Sequence, residues 1–235
     1  MDLKERIDLL DWDRITEDMN SKGYVVAANI LTGEECGTLV GQYNDTALYR
    51  KTIIMEHHAY GLGEYKYFQY PLPGVVQQLR ENVYPKLAPI ANGWMNALNI
   101  DKQFPANLPA LIELCHAHSQ LRPTPLILKY NAGGYNALHQ DLYGEVYFPM
   151  QAVLFLNEPG KDYEGGEFVL VEQRPRAQSK AIVLKPHKGD MLIFTTNFRP
   201  VKGSKGYYRV NMKHAVSELT EGKRHTLGII FHDAT

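Results

Sequence analysis

The chain has 235 residues, of which 44% are hydrophobic and 22% charged, enough for one large domain with a substantial core. Its formal net charge of -1 neither requires nor excludes a nucleic-acid partner, and no apolar run is long enough for a transmembrane helix. The N-terminus is charged and lacks an apolar stretch, so no secretory signal and a cytoplasmic location are expected. Cys36 and Cys115 lie far apart, and two buried, reduced thiols are their expected state.

The first half of the chain is predicted to be mainly helical. Apolar residues at helical spacing, together with capping signals, place helices at residues 11–20, 32–44, 73–98 and 108–121. Gly23 ends the first of these helices before a short strand at residues 24–26. Pro85 and Pro89 should break or kink the third helix, since proline lacks the N–H that a helix interior needs.

Residues 50–70 are rich in tyrosine, histidine and glycine. The alternating stretch 61–68 fits either a loop over an active site or an ordinary edge strand. His57 and His58 are adjacent and would point to opposite faces of a strand, which favours a packing or surface role over metal binding. His116 and His118 are two residues apart in a predicted helix, so they are poor joint ligands.

From residue 125 onward the pattern changes to short β segments separated by Gly, Pro and Asn turns. The predicted strands are residues 126–130, 135–140, 150–156, 167–171, 181–184, 190–195, 211–216 and 225–231. Such a series predicts a mainly β fold with some α, a double-sheet jelly roll flanked by the N-terminal helices. The chain is expected to be a single domain over 1–235, with helical and mixed support at 1–124 and the jelly-roll core at 125–235.

The stretch 126–141 carries the strongest chemical signal. It predicts two strands joined by a glycine turn, and alternation along the second strand puts His139 and Asp141 on one face with Gln140 facing away. An imidazole and a carboxylate on one face are two of the three ligands in a 2-His-1-carboxylate site, which binds Fe(II) and leaves positions open.

A second histidine must complete such a site, and His187 and His214 compete for that place. His187 lies in a predicted turn, whereas His214 lies in a late predicted strand, where a ligand is held more rigidly. His214 is therefore the predicted third ligand, and His232 is assigned a structural role. A zinc hydrolase with the same ligands and a metal-free jelly roll with packed histidines are the alternatives.

Arg224 lies ten residues after His214. Together with His139-x-Asp141 and His214, this arginine makes the chain resemble the iron- and 2-oxoglutarate-dependent dioxygenases. The resemblance implies a double-stranded β-helix fold and Fe(II) bound by His139, Asp141 and His214. It also implies that Arg224 and Thr226 hold the distal carboxylate of 2-oxoglutarate, which suits the planar guanidinium fork.

The residues from 129 to 141 are similar to the stretch before the metal motif in AlkB-like nucleic-acid dealkylases and in prolyl hydroxylases. Tyr130 matches the tyrosine that hydrogen-bonds 2-oxoglutarate, whereas Leu128 stands where AlkB-like enzymes carry an asparagine. Over most of its length the chain also resembles a bacterial family of 2-oxoglutarate oxygenases linked to the oxidative repair of alkylated DNA.

The activity that this resemblance implies is an oxidoreductase that uses 2-oxoglutarate and O2 to hydroxylate a C–H bond. On an N-methyl group of alkylated single-stranded DNA or RNA, this reaction would release formaldehyde. The alternatives are a hydroxylase of a protein side chain or a small molecule, and a non-catalytic sensor of iron or 2-oxoglutarate. No membrane partner is expected.

Two features would suit a nucleic-acid substrate. Basic residues recur from Arg174 to Lys213 with Asp190 as the only acid, which favours a cationic groove, with ordinary solvated loops as the alternative. The aromatic residues that could stack on a flipped base are Tyr60, Tyr65, Tyr67, Phe68, Tyr143 and Tyr147. Ordinary core or rim positions are the alternative for each of them.

Overall fold

The structure is a computed structural model that describes residues 1–142 and 144–235. The helices are α1 (Leu3–Asp8), α2 (Trp12–Lys22), α3 (Gly33–Gly41), α4 (Gly74–Ala97) and α5 (Leu108–Ala117). The strands are β1 (Tyr24–Ala27), β2 (Tyr49–Ile54), β3 (Gly61–Leu62), β4 (Glu64–Phe68), β5 (Leu126–Asn131), β6 (Tyr135–His139), β7 (Met150–Phe155), β8 (Tyr163–Gly165), β9 (Phe168–Gln173), β10 (Lys180–Leu184), β11 (Met191–Thr195), β12 (Phe198–Gly203), β13 (Gly206–Val216) and β14 (Leu219–Ile229).

The strands form two sheets of antiparallel pairs. The larger sheet has the order β1-β11-β7-β14-β5-β4-β2, with β8 paired to β14. The smaller sheet has the order β10-β9-β13-β6-β3, with β12 paired to β13. The predicted jelly-roll core is confirmed, and strands distant in sequence, such as β14 and β5, lie side by side in it.

Two apolar cores hold the layers together. The helices and the outer face of the larger sheet share one core, in which α4 supplies fully buried residues such as Val83, Leu87 and Trp94. The core between the two sheets consists of Val153, Phe155, Phe168, Leu170, Leu192, Phe194 and Met212. Because β7 is covered on both faces, all of its residues are buried, as expected of a central strand.

Of the predicted break or kink at Pro85 and Pro89, the break does not occur, because α4 continues through both residues. Pro85 is half-buried and Pro89 is exposed, so both lie toward the solvent side of the helix. There, carbonyl groups left without a helical N–H can bond to water instead.

The helix boundaries follow the capping signals. The side chain of Asp11 caps α2, and Gly23 ends it with a left-handed φ of 80°. Thr32 and Glu35 form the predicted capping box of α3, which continues as a single 3-10 turn over Gln42–Asn44. Local signals therefore predicted α2 and α3 correctly, whereas α1 was missed although Asp2 and Glu5 form a capping box there as well.

One strand of the smaller sheet was missed from the sequence. Strand β12 contains Pro200, a residue that argues against a central strand. In the structure β12 pairs along one side only, with β13, so the missing N–H of Pro200 breaks no ladder. Strand β13 starts five residues before the predicted 211, because Gly206 opens the hairpin that joins it to β12.

A buried ion pair fastens the C-terminus to α4. The Arg80 guanidinium is 1% exposed and donates to Asp233 Oδ1 at 2.9 Å and to the carbonyl of Phe231 at 2.7 Å.

Cys36 and Cys115 are both buried and free, as expected. Within the described residues, no helix combines the length and the apolar character that a membrane span requires.

Candidate metal and cosubstrate site

The three predicted metal ligands meet at one end of the space between the sheets. His139 and His214 face each other directly across strands β6 and β13, and their ring centroids are 4.1 Å apart. Asp141 lies two residues beyond the end of β6, with Oδ1 3.6 Å from His139 Nε2 and Oδ2 3.3 Å from His214 Nε2. One nitrogen or oxygen from each residue lies within 4.8 Å of the others, close enough to bind one ion.

A β-bulge shapes this end of β6. The pairs His214–His139 and Val216–Asn136 span two residues on β13 but three on β6, so β6 carries one extra residue. Bulges of this kind re-aim side chains, and here the Asn136 side chain interacts with Tyr130 of the opposite sheet, in the pocket that His139 also lines. Regular alternation would have turned Asn136 away from the site.

His139 is held in the form that a metal ligand needs. Its Nδ1–H donates to the carbonyl of Ala137 at 2.7 Å, which leaves Nε2 unprotonated and directed at Asp141. Burial lowers the pKa of His139, and the nearby charge of His214 lowers it further. The imidazole is therefore neutral at pH 7 and able to bind a metal.

His214 is oriented by packing. The ring of Phe168 stacks on it at 5.8 Å and 9°, and Phe194 contacts it edge-on at 4.9 Å. Its side chain is 8% exposed, and its Nδ1 has no hydrogen-bond partner among the described residues. The two phenylalanines thus fix the ring plane, and Nε2 points toward Asp141.

Asp141 is ionised in this setting. Its burial acts to raise its pKa, but hydrogen bonding to His214, the charges of His214 and His139, and the amide of Gln151 lower that pKa well below the usual range. Gln151, on β7 of the opposite sheet, donates to Asp141 Oδ2 at 2.8 Å. An ionised carboxylate and two imidazoles form the donor set that suits Fe(II).

Gln140, between the two ligands, borders the same pocket but bonds to the backbone of neighbouring strands. Its amide donates to the carbonyl of Met212 at 2.9 Å and to the carbonyl of Asn197 at 2.9 Å. Met212 lies two residues before His214 on β13. The Gln140 amide therefore connects the segment that carries His139 and Asp141 to the strand that carries His214.

Arg224 and Tyr130 stand directly opposite each other on neighbouring strands β14 and β5. Thr226 and Leu128 form the next pair on the same face, and all four residues line the pocket that holds the metal triad. The predicted cosubstrate residues are therefore grouped by strand register. Leu128 contributes an apolar wall, while Asn136 on the opposing sheet places an amide in the pocket.

The Arg224 side chain is buried without a carboxylate partner among the described residues. It is 1% exposed, and its three guanidinium nitrogens have no carboxylate partner and no hydrogen bond of good geometry within the described part of the chain; the Tyr163 hydroxyl is the polar group that interacts with them. Aromatic rings surround the guanidinium carbon, with centroids at 5.4 Å for Phe155, 5.7 Å for Tyr130 and 6.0 Å for Tyr163. The Tyr130 hydroxyl is likewise buried, with the Asn136 side chain as its polar neighbour, and burial raises its pKa to about 12.

The site opens into a pocket of about 370 Å³ that reaches between the sheets. Tyr60, Tyr65 and Tyr67 line one wall, and the rings of Tyr65 and Tyr67 meet edge to face at 5.4 Å. The stretch 61–68 is therefore strand and not a loop: β3 lies at the edge of the smaller sheet, whereas β4 lies inside the larger sheet and contributes Tyr65 and Tyr67 to the pocket.

The other aromatic candidates lie elsewhere. Phe68 is 1% exposed in the helix-facing core, and Tyr147 packs under Lys102, whose Nζ is 4.3 Å from its ring centroid. Tyr143 lies outside the described residues. Only the tyrosines of the 60–67 stretch, among the candidates that the structure describes, therefore border the pocket.

The remaining histidines lie away from the triad. His187 has a 74% exposed side chain and contacts Glu158, which agrees with the choice of His214 over it. His57 and His58 are exposed in a 3-10 turn, so the strand assumed for them is wrong. His232 is buried, and its Nδ1 accepts from the N–H of Phe148 at 3.1 Å. His116 contacts Asp233 and His118 lies near Glu145, so they do not share a site.

The basic span from Arg174 to Lys213 is partly neutralised by acids from neighbouring segments. Arg199 is buried against Glu172 at 2.6 Å, and Arg174 contacts the other oxygen of the same carboxylate at 2.8 Å. Lys185 pairs with Glu164. Three of the ten basic residues of the span are therefore paired with acids.

The chain matches a model of known proteins over residues 63–234, the Oxygenase-NA family, described as an oxygenase "catalysing oxidative methylation of damaged DNA". The chain belongs to this family. A relative is an uncharacterised protein of Mycobacterium tuberculosis, which is 42% identical over 197 residues that cover 84% of this chain and 79% of the relative.

Solved structures with the same fold come from several oxygenases. A Trichoplax adhaerens prolyl hydroxylase, in complex with a peptide fragment of hypoxia inducible factor, is similar with a TM-score of 0.61 at 14% identity over 98% of this chain and 92% of its own. A Burkholderia pseudomallei 2-oxoglutarate–Fe(II) oxygenase gives 0.54 at 12% identity over 94% and 91%. The epimerase SnoN of nogalamycin biosynthesis, in complex with Fe3+, α-ketoglutarate and nogalamycin RO, gives 0.56 at 12% identity over 95% and 84%.

Family and fold together confirm the class expected from the sequence. The chain is an oxidoreductase of the 2-oxoglutarate–Fe(II) oxygenase class, whose cofactor is iron and whose cosubstrate is 2-oxoglutarate. The His139, Asp141 and His214 cluster is the one group that could hold a metal ion in the described part of the chain.

Two polar residues of the site were not identified from the sequence. Asn136 was not identified because the alternation of side chains along a strand does not reveal a β-bulge. Gln151 could have been identified from the sequence, since it is the one polar residue in the apolar run Met150–Phe155. A polar side chain in a central strand needs a buried partner, and here that partner is a metal-ligand carboxylate.

Proposed function

We propose that the protein oxidatively demethylates a methylated base in single-stranded nucleic acid, with His139, Asp141 and His214 as the ligands of Fe(II). Arg224, Thr226 and Tyr130 would anchor the distal carboxylate of 2-oxoglutarate. The observation that carries the proposal is a single pocket that contains both the metal triad and the buried guanidinium of Arg224, which has no carboxylate partner among the described residues.

The residues present fit both groups. A buried guanidinium without a carboxylate partner is costly, and a carboxylate in its plane would satisfy two of its N–H groups at once. The Tyr130 hydroxyl, directly opposite on β5, can add a third hydrogen bond. A zinc hydrolase with the same triad would give this arginine no role.

Each residue has a stated task in this mechanism. Bound iron, 2-oxoglutarate and oxygen supply the oxidising chemistry that hydroxylates a C–H bond, while the protein positions the reactants. Nε2 of His139, Nε2 of His214 and the carboxylate of Asp141 offer three ligand atoms close together. Arg224 and Tyr130 orient the cosubstrate, and Phe168 and Phe194 exclude water behind His214.

The tyrosine wall supports a nucleobase substrate. Tyr60, Tyr65 and Tyr67 present aromatic surface beside the metal triad, where a base turned out of the stack could lie. Hydroxylation of its N-methyl group would give a hydroxymethyl group that decomposes to formaldehyde and the bare nitrogen. The description of the family, which concerns damaged DNA, favours the same substrate.

A second candidate is hydroxylation of a protein side chain. It is favoured by the similarity to the prolyl hydroxylase in complex with a peptide fragment, although the low sequence identity supports the fold alone. The two candidates differ in product, because only N-demethylation releases formaldehyde.

The decisive experiment incubates the enzyme with Fe(II), 2-oxoglutarate and O2 and measures succinate and formaldehyde. The substrates are a single-stranded oligonucleotide with N-methylated bases and the same oligonucleotide without them. We expect formaldehyde and succinate in equal amounts from the methylated strand only, and neither product from the Asp141→Ala variant. Succinate without formaldehyde from any methylated strand would leave an oxygenase and refute the nucleic-acid substrate.

A further inference from the structure

Gln151 is a buried polar residue whose amide reaches across the space between the sheets. It lies on β7, opposite Phe194 of β11, and is 4% exposed. Its Nε2 donates to Asp141 Oδ2 at 2.8 Å, so a residue of the larger sheet holds a ligand carried by the smaller one. Asp141 itself lies outside any strand and depends on such contacts for its orientation.

The orientation of this carboxylate matters because either oxygen, or both, could bind the ion. Oδ1 lies 3.6 Å from His139 Nε2, and Oδ2 lies 3.3 Å from His214 Nε2. A carboxylate that binds through one oxygen leaves three open positions on a six-coordinate ion, whereas one that binds through both leaves two. 2-Oxoglutarate needs two coordination positions and oxygen needs one, so Asp141 would have to bind through one oxygen.

We propose that Gln151 is a positioning residue that keeps Asp141 a one-oxygen ligand. Its amide engages Oδ2 with a charge-assisted hydrogen bond, so that Oδ1 is the oxygen offered to the metal. This inference rests on the proposed metal site. It assigns to Gln151 control of the number of open positions, a task beyond filling space in the core.

Gln120 provides a matched control for the structural contribution of a buried glutamine. It is 1% exposed and donates to the carbonyl of Val146 at 2.9 Å, but it does not line the metal pocket. Replacement of either glutamine by methionine removes buried hydrogen bonds at nearly constant side-chain length. Only the Gln151 replacement should change the properties of the metal.

The test uses Mn(II) as a probe ion in the full-length protein, for wild type, Gln151→Met, Gln151→Asn and Gln120→Met. Titration followed by electron paramagnetic resonance gives the affinity, and the relaxation of water protons gives the number of waters on the bound ion. We expect both Gln151 variants to bind Mn(II) about 10- to 100-fold more weakly, since partners of metal ligands have effects of this size. We also expect the Gln151→Met ion to carry one water fewer, because the freed Oδ2 takes its place.

The outcomes separate this inference from the proposed function. Gln120→Met should lose stability against urea while it keeps the affinity and hydration of wild type. If Gln151→Met and Gln151→Asn match wild type in both quantities, the positioning role is refuted and the metal site stands. If wild-type protein binds no Mn(II), the proposed metal site fails and the inference falls with it. The Asn variant provides the test should the Met variant not fold.

Discussion

Replacement of Arg224 by methionine should stabilise the protein while it weakens 2-oxoglutarate binding. The three guanidinium nitrogens are buried among aromatic rings without a carboxylate partner in the described residues, and the Tyr163 hydroxyl is their poorly aligned polar neighbour. A buried polar group without a partner costs about 1–3 kcal/mol, and more if it is charged. Methionine has a similar length and no polar hydrogen, so the free energy of unfolding of the metal-free protein should rise by about 1–3 kcal/mol.

The same change removes the proposed anchor of the cosubstrate. Two hydrogen bonds between a guanidinium and a carboxylate contribute about 1.5–3 kcal/mol each, or about 3–6 kcal/mol together. Since 1.4 kcal/mol corresponds to a factor of ten, the dissociation constant of 2-oxoglutarate should rise roughly a hundredfold to ten-thousandfold.

Urea unfolding with and without 2-oxoglutarate measures both effects, with Mn(II) present to avoid turnover. At a hundred times its dissociation constant, 2-oxoglutarate should stabilise wild type by about 2.7 kcal/mol and the Arg224→Met variant by far less. Arg80→Met is the matched control, because Arg80 is equally buried but paired with Asp233. It should destabilise the protein by about 3–5 kcal/mol. An Arg224→Met variant that loses stability as Arg80→Met does, and still binds 2-oxoglutarate normally, would refute this reasoning.

Two further predictions concern stability. The pKa values of His225 and His232 are lowered to about 4, chiefly by burial, so the unfolded chain binds more protons between pH 6.5 and 4. The free energy of unfolding should fall as pH drops through that window, by roughly 3 kcal/mol per histidine, and His225→Phe should flatten the urea-derived pH profile. Glu172→Gln leaves Arg199 buried without its carboxylate and should cost about 3–5 kcal/mol, whereas Arg174→Ala, at an exposed end of the same cluster, should cost at most about 1 kcal/mol. Equal losses in the free energy of unfolding of these two variants would contradict the expectation that breaking the buried ion pair costs more than removing an exposed one.

The features that depend on strand alternation were predictable from the sequence. Alternation put Arg224 and Thr226 on one face, as they are in the structure. It also put His139 and Asp141 together, and the two side chains do meet, although β6 ends at His139 and Asp141 lies outside any strand. The choice of His214 over His187 depended on whether a residue lies in a strand or a turn, and the structure places His214 beside His139. Local patterns suffice where each residue's direction follows from its own strand.

The features that depend on tertiary context were not predictable. The bulge that turns Asn136 into the pocket arises from pairing between β6 and β13, which no single segment specifies. The edge position that tolerates Pro200 in β12 depends on which strands lie beside it. The partners that neutralise Arg199 and Lys185 come from acids outside the basic span, so charge counted along the sequence overstated the charge on the surface.

Anaerobic equilibrium dialysis with Fe(II) tests the central claim most directly. The measurement compares wild type with His139→Ala, His214→Ala and His187→Ala, the last as a control for an exposed histidine. We predict one equivalent of bound Fe(II) for wild type and His187→Ala, and a loss of binding for the other two variants. Full retention of Fe(II) by His214→Ala would contradict the metal site on which the proposed function depends.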